Sequence, residues 1–321
     1  MAFATTMKTA GKGILLAKIE ATYGTDPTPS NTVDAIYADS IDIKPIWDSI
    51  ERANLAPALG ANPKYYRGVG MTIEFGAEIR GSGDTDKDVP PEVSALLQAC
   101  GLTQTITAAT SVAYAPNSLL DGALSCTIYF YNAGILHKIT GCRGNVSLDL
   151  QAGKLGKYKF SMTGTYAEPT DQANVVPTFI STLPPNCSSM AFTLTGLGTN
   201  LVTDKLSIDL GNTVTPQKDI SSVNGIRQYF ISARDTKASF EPEAQALSAY
   251  NPWAAIVAGT TGAMSATLTG TVAAGNTITV AAPKSVITDV SYGEREKALT
   301  YSNPLSLLPN TGNDEFTLTF T

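Results

Sequence analysis

The sequence predicts a mainly β chain of two tandem β-sandwich or β-barrel domains, each with one short helix. Three observations predict it. Composition leans to Thr, Ser, Ala and Gly, with 27 Gly and 18 Pro, the makings of short strands and many turns. A length of 321 residues exceeds one ordinary core and suits two domains of ~150 residues. The second half also echoes the first. Ser40-Ile41-Asp42-Ile43 recurs as Ser207-Ile208-Asp209-Leu210, and Ala113-Tyr114-Ala115-Pro116-Asn117-Ser118 as Val280-Ala281-Ala282-Pro283-Lys284-Ser285, both 167 residues on. Thr72-Ile73-Glu74-Phe75 against Lys237-Ala238-Ser239-Phe240, and Phe160-Ser161-Met162-Thr163 against Phe316-Thr317-Leu318-Thr319, lie near that offset. A period this long exceeds the ~20–50 residues of solenoid units and points to two copies of one domain. The expected division is 1–168, a linker over 169–186, and 187–321.

The elements follow in order. Ile14 to Ala21 reads as a strand, then Gly24 to Ser30 as a proline-pinned loop. Ala35 to Ile43 alternates apolar and polar residues, as a half-buried strand does. Residues 44–70 lack periodicity and form an expected long loop. Met71 to Ile79 alternates cleanly, with Glu74 and Glu78 on the face opposite Met71, Ile73, Phe75, Ala77 and Ile79. Pro90 to Gly101 is the strongest helix: proline opens it, Glu92 sits in its first turn, Val93, Leu96, Leu97 and Cys100 make one stripe, and glycine ends it. Pro252 to Gly259 is its shorter counterpart.

Ser125–Tyr131, Ile135–Thr140, Gly144–Leu150 and Lys157–Tyr166 read as four strands, with turns at Asn132-Ala133-Gly134 and Ala152-Gly153-Lys154. Pro169 to Pro185 is the crossover. Strands are then expected near Ala191–Thr195, Leu201–Leu210, Thr236–Pro242, Ser265–Thr271, Thr277–Ala281, Val286–Tyr292, Lys297–Tyr301 and Glu315–Thr321, with residues 211–232 irregular.

Charge narrows the function. Charged residues are only 16%, below the ~25% usual for soluble domains, as expected of a chain largely covered by partners. The net charge is −6 and no basic stripe occurs, which argues against a protein that grips nucleic acid. An acidic wall would still suit a channel along which DNA slides. Cys100, Cys126, Cys142 and Cys187 have no C-x-x-C spacing and His137 is the one histidine, so no metal site is expected and the cysteines read as buried free thiols. The first residues lack the basic head and apolar run of a signal peptide, and no window reaches the ~20 apolar residues of a membrane span.

Enzymatic signatures fail in turn. Asp84-Thr85-Asp86-Lys87-Asp88 opens like a calcium loop, but Val89 and Ala95 stand where glycine and glutamate are needed. Glu74 and Glu78 are roughly 13–14 Å apart on one strand, too far to share acid/base work. No nucleophile elbow or phosphate loop occurs. The expectation is a chain without catalytic activity and without a cofactor.

Ile19-Glu20-Ala21-Thr22-Tyr23-Gly24-Thr25-Asp26-Pro27-Thr28-Pro29 resembles the opening of major tail tube proteins of long non-contractile bacteriophage tails. So does the later order: the Ser-Ile-Asp-Ile strand, a long loop, Gly70 to Phe75, the helix Pro91–Gly101, Cys142-Arg143-Gly144-Asn145-Val146-Ser147-Leu148-Asp149-Leu150, and Lys157 to Pro169. The similarity is clearest over 14–169. It implies two tail-tube-like domains in a structural virion protein, made and assembled in the host cytoplasm. It further implies stacked rings around a lumen, an inner barrel closed across subunits, DNA passing without specific binding, and tape measure, tail terminator and distal tail proteins as partners. With the internal echo, three chains would make a ring of six like domains. The alternative from another class is a two-domain β-sandwich surface or capsid-decoration binding module.

Two sets of residues are singled out. Trp47, Tyr65, Tyr66, Tyr229 and Phe230, on the two long loops, are expected contacts to a neighbouring chain or ring, because buried aromatics dominate interfaces. Glu74, Glu78 and Glu241 are the candidate lumen residues.

Overall fold

The computed structural model describes residues 13–51, 64–118, 124–188, 190–198, 201–270 and 274–321. The first half runs β1 (Gly13–Ile19), β2 (Ala35–Ile36), β3 (Ala38–Glu51), β4 (Lys64–Glu78), α1 (Ser94–Ala99), β5 (Leu102–Thr107), β6 (Ser111–Pro116), β7 (Cys126–Asn132), β8 (Ile135–Gln151) and β9 (Lys157–Thr165). After β10 (Thr170–Asp171) come β11 (Ala191–Thr195), β12 (Thr203–Asp209), β13 (Asn212–Lys218), β14 (Ile226–Arg234), β15 (Lys237–Pro242), α2 (Pro252–Ala258), β16 (Gly262–Thr269), β17 (Thr277–Ile287), β18 (Ser291–Arg295), β19 (Ala298–Leu308) and β20 (Thr317–Phe320). The chain is mainly β, as its sequence predicts.

All strand pairs are antiparallel. The first half pairs β1 with β7, β7 with β8, β8 with β9, β9 with β4, and β4 with β3. The second half pairs β11 with β16, β16 with β17, β17 with β19, β19 with β15, and β15 with β12. Two seams join them. β12 pairs with β8, and β20 links β17 to β6.

Alternation decides which face is buried. Ile73 and Phe75 of β4, Tyr158, Phe160 and Met162 of β9, and Val146, Leu148 and Leu150 of β8 are buried with Leu206, Ile208 and Phe240. Phe75 and Phe160 stack with centroids 5.4 Å apart. Leu96 and Leu97 of α1 join the same core. The helix begins at Ser94, later than its proline signal, because a turn closed by Ser94 N to Pro91 O (2.9 Å) precedes it. α2 is capped by the Asn251 side chain, which accepts from Ala254 N (3.0 Å), and Gly259 closes it in the left-handed region.

Three expectations are corrected. The stretches 44–70 and 211–232 are not irregular where described. The outer part of β3 and β4 forms one two-stranded ribbon, and β13 with β14 forms another. A protruding ribbon buries neither face continuously, so its sequence lacks the period that reveals a strand. Residues 52–63, between β3 and β4, lie outside the described residues, as do 1–12. Ile135–Thr140 and Gly144–Leu150 are one strand, β8, interrupted by a bulge at Gly141 (φ 63°). β5 and β6 form a further hairpin beyond the expected strands, and β5 carries no clear period because it turns mostly to solvent.

The crossover after β10 is tied to the first half. Arg80 donates to Glu92 from Nη2 (2.8 Å to Oε1 and 2.9 Å to Oε2) and from Nε (3.1 Å to Oε1), and its Nη1 lies 3.4 Å from Ile180 O. Burial raises the Glu92 carboxyl against the pull of Arg80. All four cysteines are free and buried, with Cys126 opposite Cys142 across β7 and β8.

Candidate assembly surfaces

One face of the continuous sheet is polar. Cross-strand partners share a face, so the registers place Glu74 beside Asp42 and Ser161, and Glu78 beside Lys157. The same face continues through Ser147 and Asp149 of β8, Lys205, Ser207 and Asp209 of β12, and Lys237, Ser239 and Glu241 of β15. The structure thus brings Glu74, Glu78 and Glu241 onto one surface across four ladders. Lys157 binds Asp39, and Lys205 lies 3.7 Å from Asp149. Seven acids (Asp39, Asp42, Glu74, Glu78, Asp149, Asp209 and Glu241) meet five lysines (Lys44, Lys157, Lys159, Lys205 and Lys237) there. Mixed charge with an acidic excess gives phosphate no continuous basic track.

The two ribbons differ in what they touch. On the first, Trp47, Tyr65 and Tyr66 are 54%, 60% and 68% exposed. Trp47 leans on Tyr166 (centroids 5.2 Å) but keeps half its surface open. On the second ribbon Tyr229 is 3% exposed, held within the chain against the first half. Its hydroxyl donates to Val69 O (3.1 Å), its amide to the Tyr23 hydroxyl (2.8 Å), and its carbonyl accepts from Arg143 Nη1 (2.8 Å). Burial pushes the Tyr229 phenol up to about 12. Phe230, on the other face of β14, is half-buried.

Sequence reasoning left unassigned the groups that lock the halves. Glu20 is buried and accepts four bonds: from Ser125 Oγ (2.6 Å), Thr127 Oγ1 (2.6 Å), Gly24 N (2.7 Å) and Gly141 N (2.7 Å). Those bonds fix the turn that carries Tyr23. Arg143 lies over the Tyr23 ring (5.1 Å). Asn212 Nδ2 donates to Cys100 O (2.6 Å) and Gly144 O (3.0 Å), and Asn145 Nδ2 to Asp209 Oδ1 (2.6 Å). The signal was present in the sequence as polar residues inside two apolar strand contexts, Glu20 after Ile19 and Arg143 after Cys142.

The chain is mainly antiparallel, with a polar sheet face and an aromatic ribbon, and among its described residues no cluster of potential metal ligands occurs. A family model described as phage tail tube protein matches residues 11–320, and the chain belongs to that family. Membership makes it a structural subunit of the virion tail that assembles with copies of itself into a tube. No curated protein matches the chain. Among the described residues no helix is long and apolar enough to cross a membrane.

Proposed function

We propose that three copies of this chain close into a ring of six like domains, and that rings stack into the tube through which DNA leaves the particle. The carrying observation is the repeated pairing scheme. The order β1·β7·β8·β9·β4·β3 has its counterpart in β11·β16·β17·β19·β15·β12, with α1 and α2 at like places. On this reading the domains are 1–168 and 187–321, with 169–186 between them. The halves align by pairing rather than by every sequence match: β9 corresponds to β19, whereas the Phe160 motif lies on β9 and the Phe316 motif runs into β20. Image analysis of assembled tubes tests the proposal. Three chains per ring with six similar densities is the expected result, and six chains per ring would overturn it.

The first ribbon is the proposed inter-subunit or inter-ring contact, with Trp47, Tyr65 and Tyr66 as anchors. Exposed aromatics in this number need a partner surface. Shortening the ribbon to a tight turn beyond Ile46 and Gly70 should leave a folded subunit by circular dichroism and abolish polymerisation. Normal tubes from that variant would refute the contact.

The acidic sheet face is the proposed lumen wall, lined in part by Glu74, Glu78 and Glu241. Glu74→Lys with Glu78→Lys changes the face by four charges without touching its apolar side. Tubes should still assemble, and genome delivery should fall about tenfold or more as phosphate begins to stick. Unchanged infectivity with normal tails would remove these residues from the lumen.

A further inference from the structure

The seam between β8 and β12 joins two halves inside one chain, and its two strands each have a counterpart whose edge is free. Its register sets Leu150 opposite Leu206 and Leu148 opposite Ile208. β12 is also paired with β15, where Leu206 faces the buried Phe240. The strand in that position in the first half is β3, paired with β4 around the buried Phe75. Counting from Phe75 and from Phe240 puts Ile43, opposite Ile73, in the place of Ile208, opposite Ala238. On the other side, Leu148 faces the buried Tyr158 across β8 and β9. β17 and β18 together take the place of the long β8, so the counterpart of Leu148 is Tyr292 on β18, which faces the buried Tyr301 of β19.

Among the described residues β3 pairs only with β4, and β18 only with β19. Both outer edges therefore present backbone donors and acceptors with no ladder partner, the arrangement that draws in another strand. Neither apolar position is fully covered. Ile43 is half-buried, and Tyr292 is 67% exposed although it packs on Tyr301 and Trp253.

The ribbons repeat the argument at a second place. Inside the chain the second ribbon crosses the seam and lays Ile231 on Gly101 after α1, with the Ile231 Cδ1 3.0 Å from where a β-carbon of Gly101 would stand. The residue at the same count on the first ribbon is Tyr66, which is exposed. The glycine after α2 is Gly259, which among the described residues has nothing within 4 Å of the same point, and nearby Val257 is 90% exposed. An uncovered helix end and an unseated aromatic thus stand where the within-chain contact is already made.

We propose that the free edge of β3 pairs antiparallel with β18 of a second copy of this chain, Ile43 opposite Tyr292, while the first ribbon seats Tyr66 on the end of α2 in that copy. The within-chain seam is the template for the seam between chains. This deepens the ring reading above and rests on it. One interface geometry, used once within each chain and once between chains, is what lets unlike ends close a ring without leaving a sheet edge open.

The test is the double variant Ile43→Cys with Tyr292→Cys, assembled into tubes and gently oxidised. Opposed β-carbons in an antiparallel ladder stand about 4.5–5.5 Å apart, close enough for a disulfide after small adjustment. The native thiols are buried, so each single variant is a clean control. Covalent closed oligomers on a non-reducing gel, absent from both singles, are the expected result. Tubes that form but do not cross-link at this pair would overturn the proposed seam and leave the ring reading standing.

A second measurement covers failure of the variant to fold. In the unaltered chain, amide exchange over 41–44 and 291–295 should slow at least about tenfold between subunit and tube. Equal exchange in both states would overturn the seam. Failure of the unaltered chain to form rings at all would overturn both readings.

Discussion

Glu20→Ala is expected to destabilise the subunit by about 3–5 kcal/mol, because it orphans several buried neutral donors at once. The carboxylate is 3% exposed and takes bonds from two hydroxyls and two amides. Alanine leaves those four donors in a site water does not reach, and each orphaned donor costs about 1–3 kcal/mol before relaxation. Glu20→Gln separates charge from shape. It keeps the volume but turns an amide donor toward existing donors, and an expected loss of about 1.5–3 kcal/mol follows from the forfeited charge-assisted bonds. Urea unfolding followed by circular dichroism measures both. A loss below about 1 kcal/mol for the alanine variant would mean that the cluster is not a structural lock. Because Gly24 N and Gly141 N belong to the turn that carries Tyr23 and to the bulge in β8, the alanine variant should also loosen the seam between the halves.

Tyr229→Ala acts on that seam from the other side. A buried aromatic replaced by alanine typically costs about 3–5 kcal/mol, part transfer and part cavity. Here the ring fills the space against Gly70, where a β-carbon would stand 2.1 Å from the Tyr229 hydroxyl oxygen. Tyr229→Phe keeps the packing and removes only the bond to Val69 O, so about 1 kcal/mol is expected. Thermal unfolding of the two variants checks the ordering. Equal effects would show that the hydroxyl, and not the ring, carries the contact. The alanine variant should also free the second ribbon from the first half, which protease cleavage within β13 or β14 would report.

The paired motifs that carried the family resemblance now have a physical reading. Ile19 to Gly24 supplies Glu20 and Tyr23, and Cys142 to Leu150 supplies Arg143, Asn145 and the edge that receives β12. These two segments meet each other and the second ribbon. Their residues read as unremarkable polar interruptions of strands until the fold brings them together.

Several elements were fixed by local rules. Met71 to Ile79 and Lys157 to Tyr166 alternate with period two because one face is buried and the other polar; the second is β9 to within a residue, and the first is the inner part of β4, which begins further out at Lys64. Pro252 with Gly259 bounded α2 because proline suits the first helical turn and glycine tolerates the left-handed cap. The placement of Glu74 and Glu78 opposite an apolar stripe followed from the same alternation. Membership of the family followed from ordered short motifs over the first half.

Tertiary structure decided what local rules do not encode. The outer part of β3 with β4, and β13 with β14, took strand geometry from their partner strands, with no continuously buried face to print a period on the sequence. Tyr229 and the exposed Tyr66 are the same kind of residue on corresponding ribbons, yet one is covered within the chain and the other is not. That difference depends on which half lies beside which ribbon, a contact between residues more than 150 positions apart. Sequence by itself determined the β class, the polar and apolar faces of its clearest strands, and the family. Which edges are closed within the chain and which remain open was set only when β12 came to lie against β8, because hydrogen-bond partners across a seam are chosen by position in space and not by neighbours along the chain.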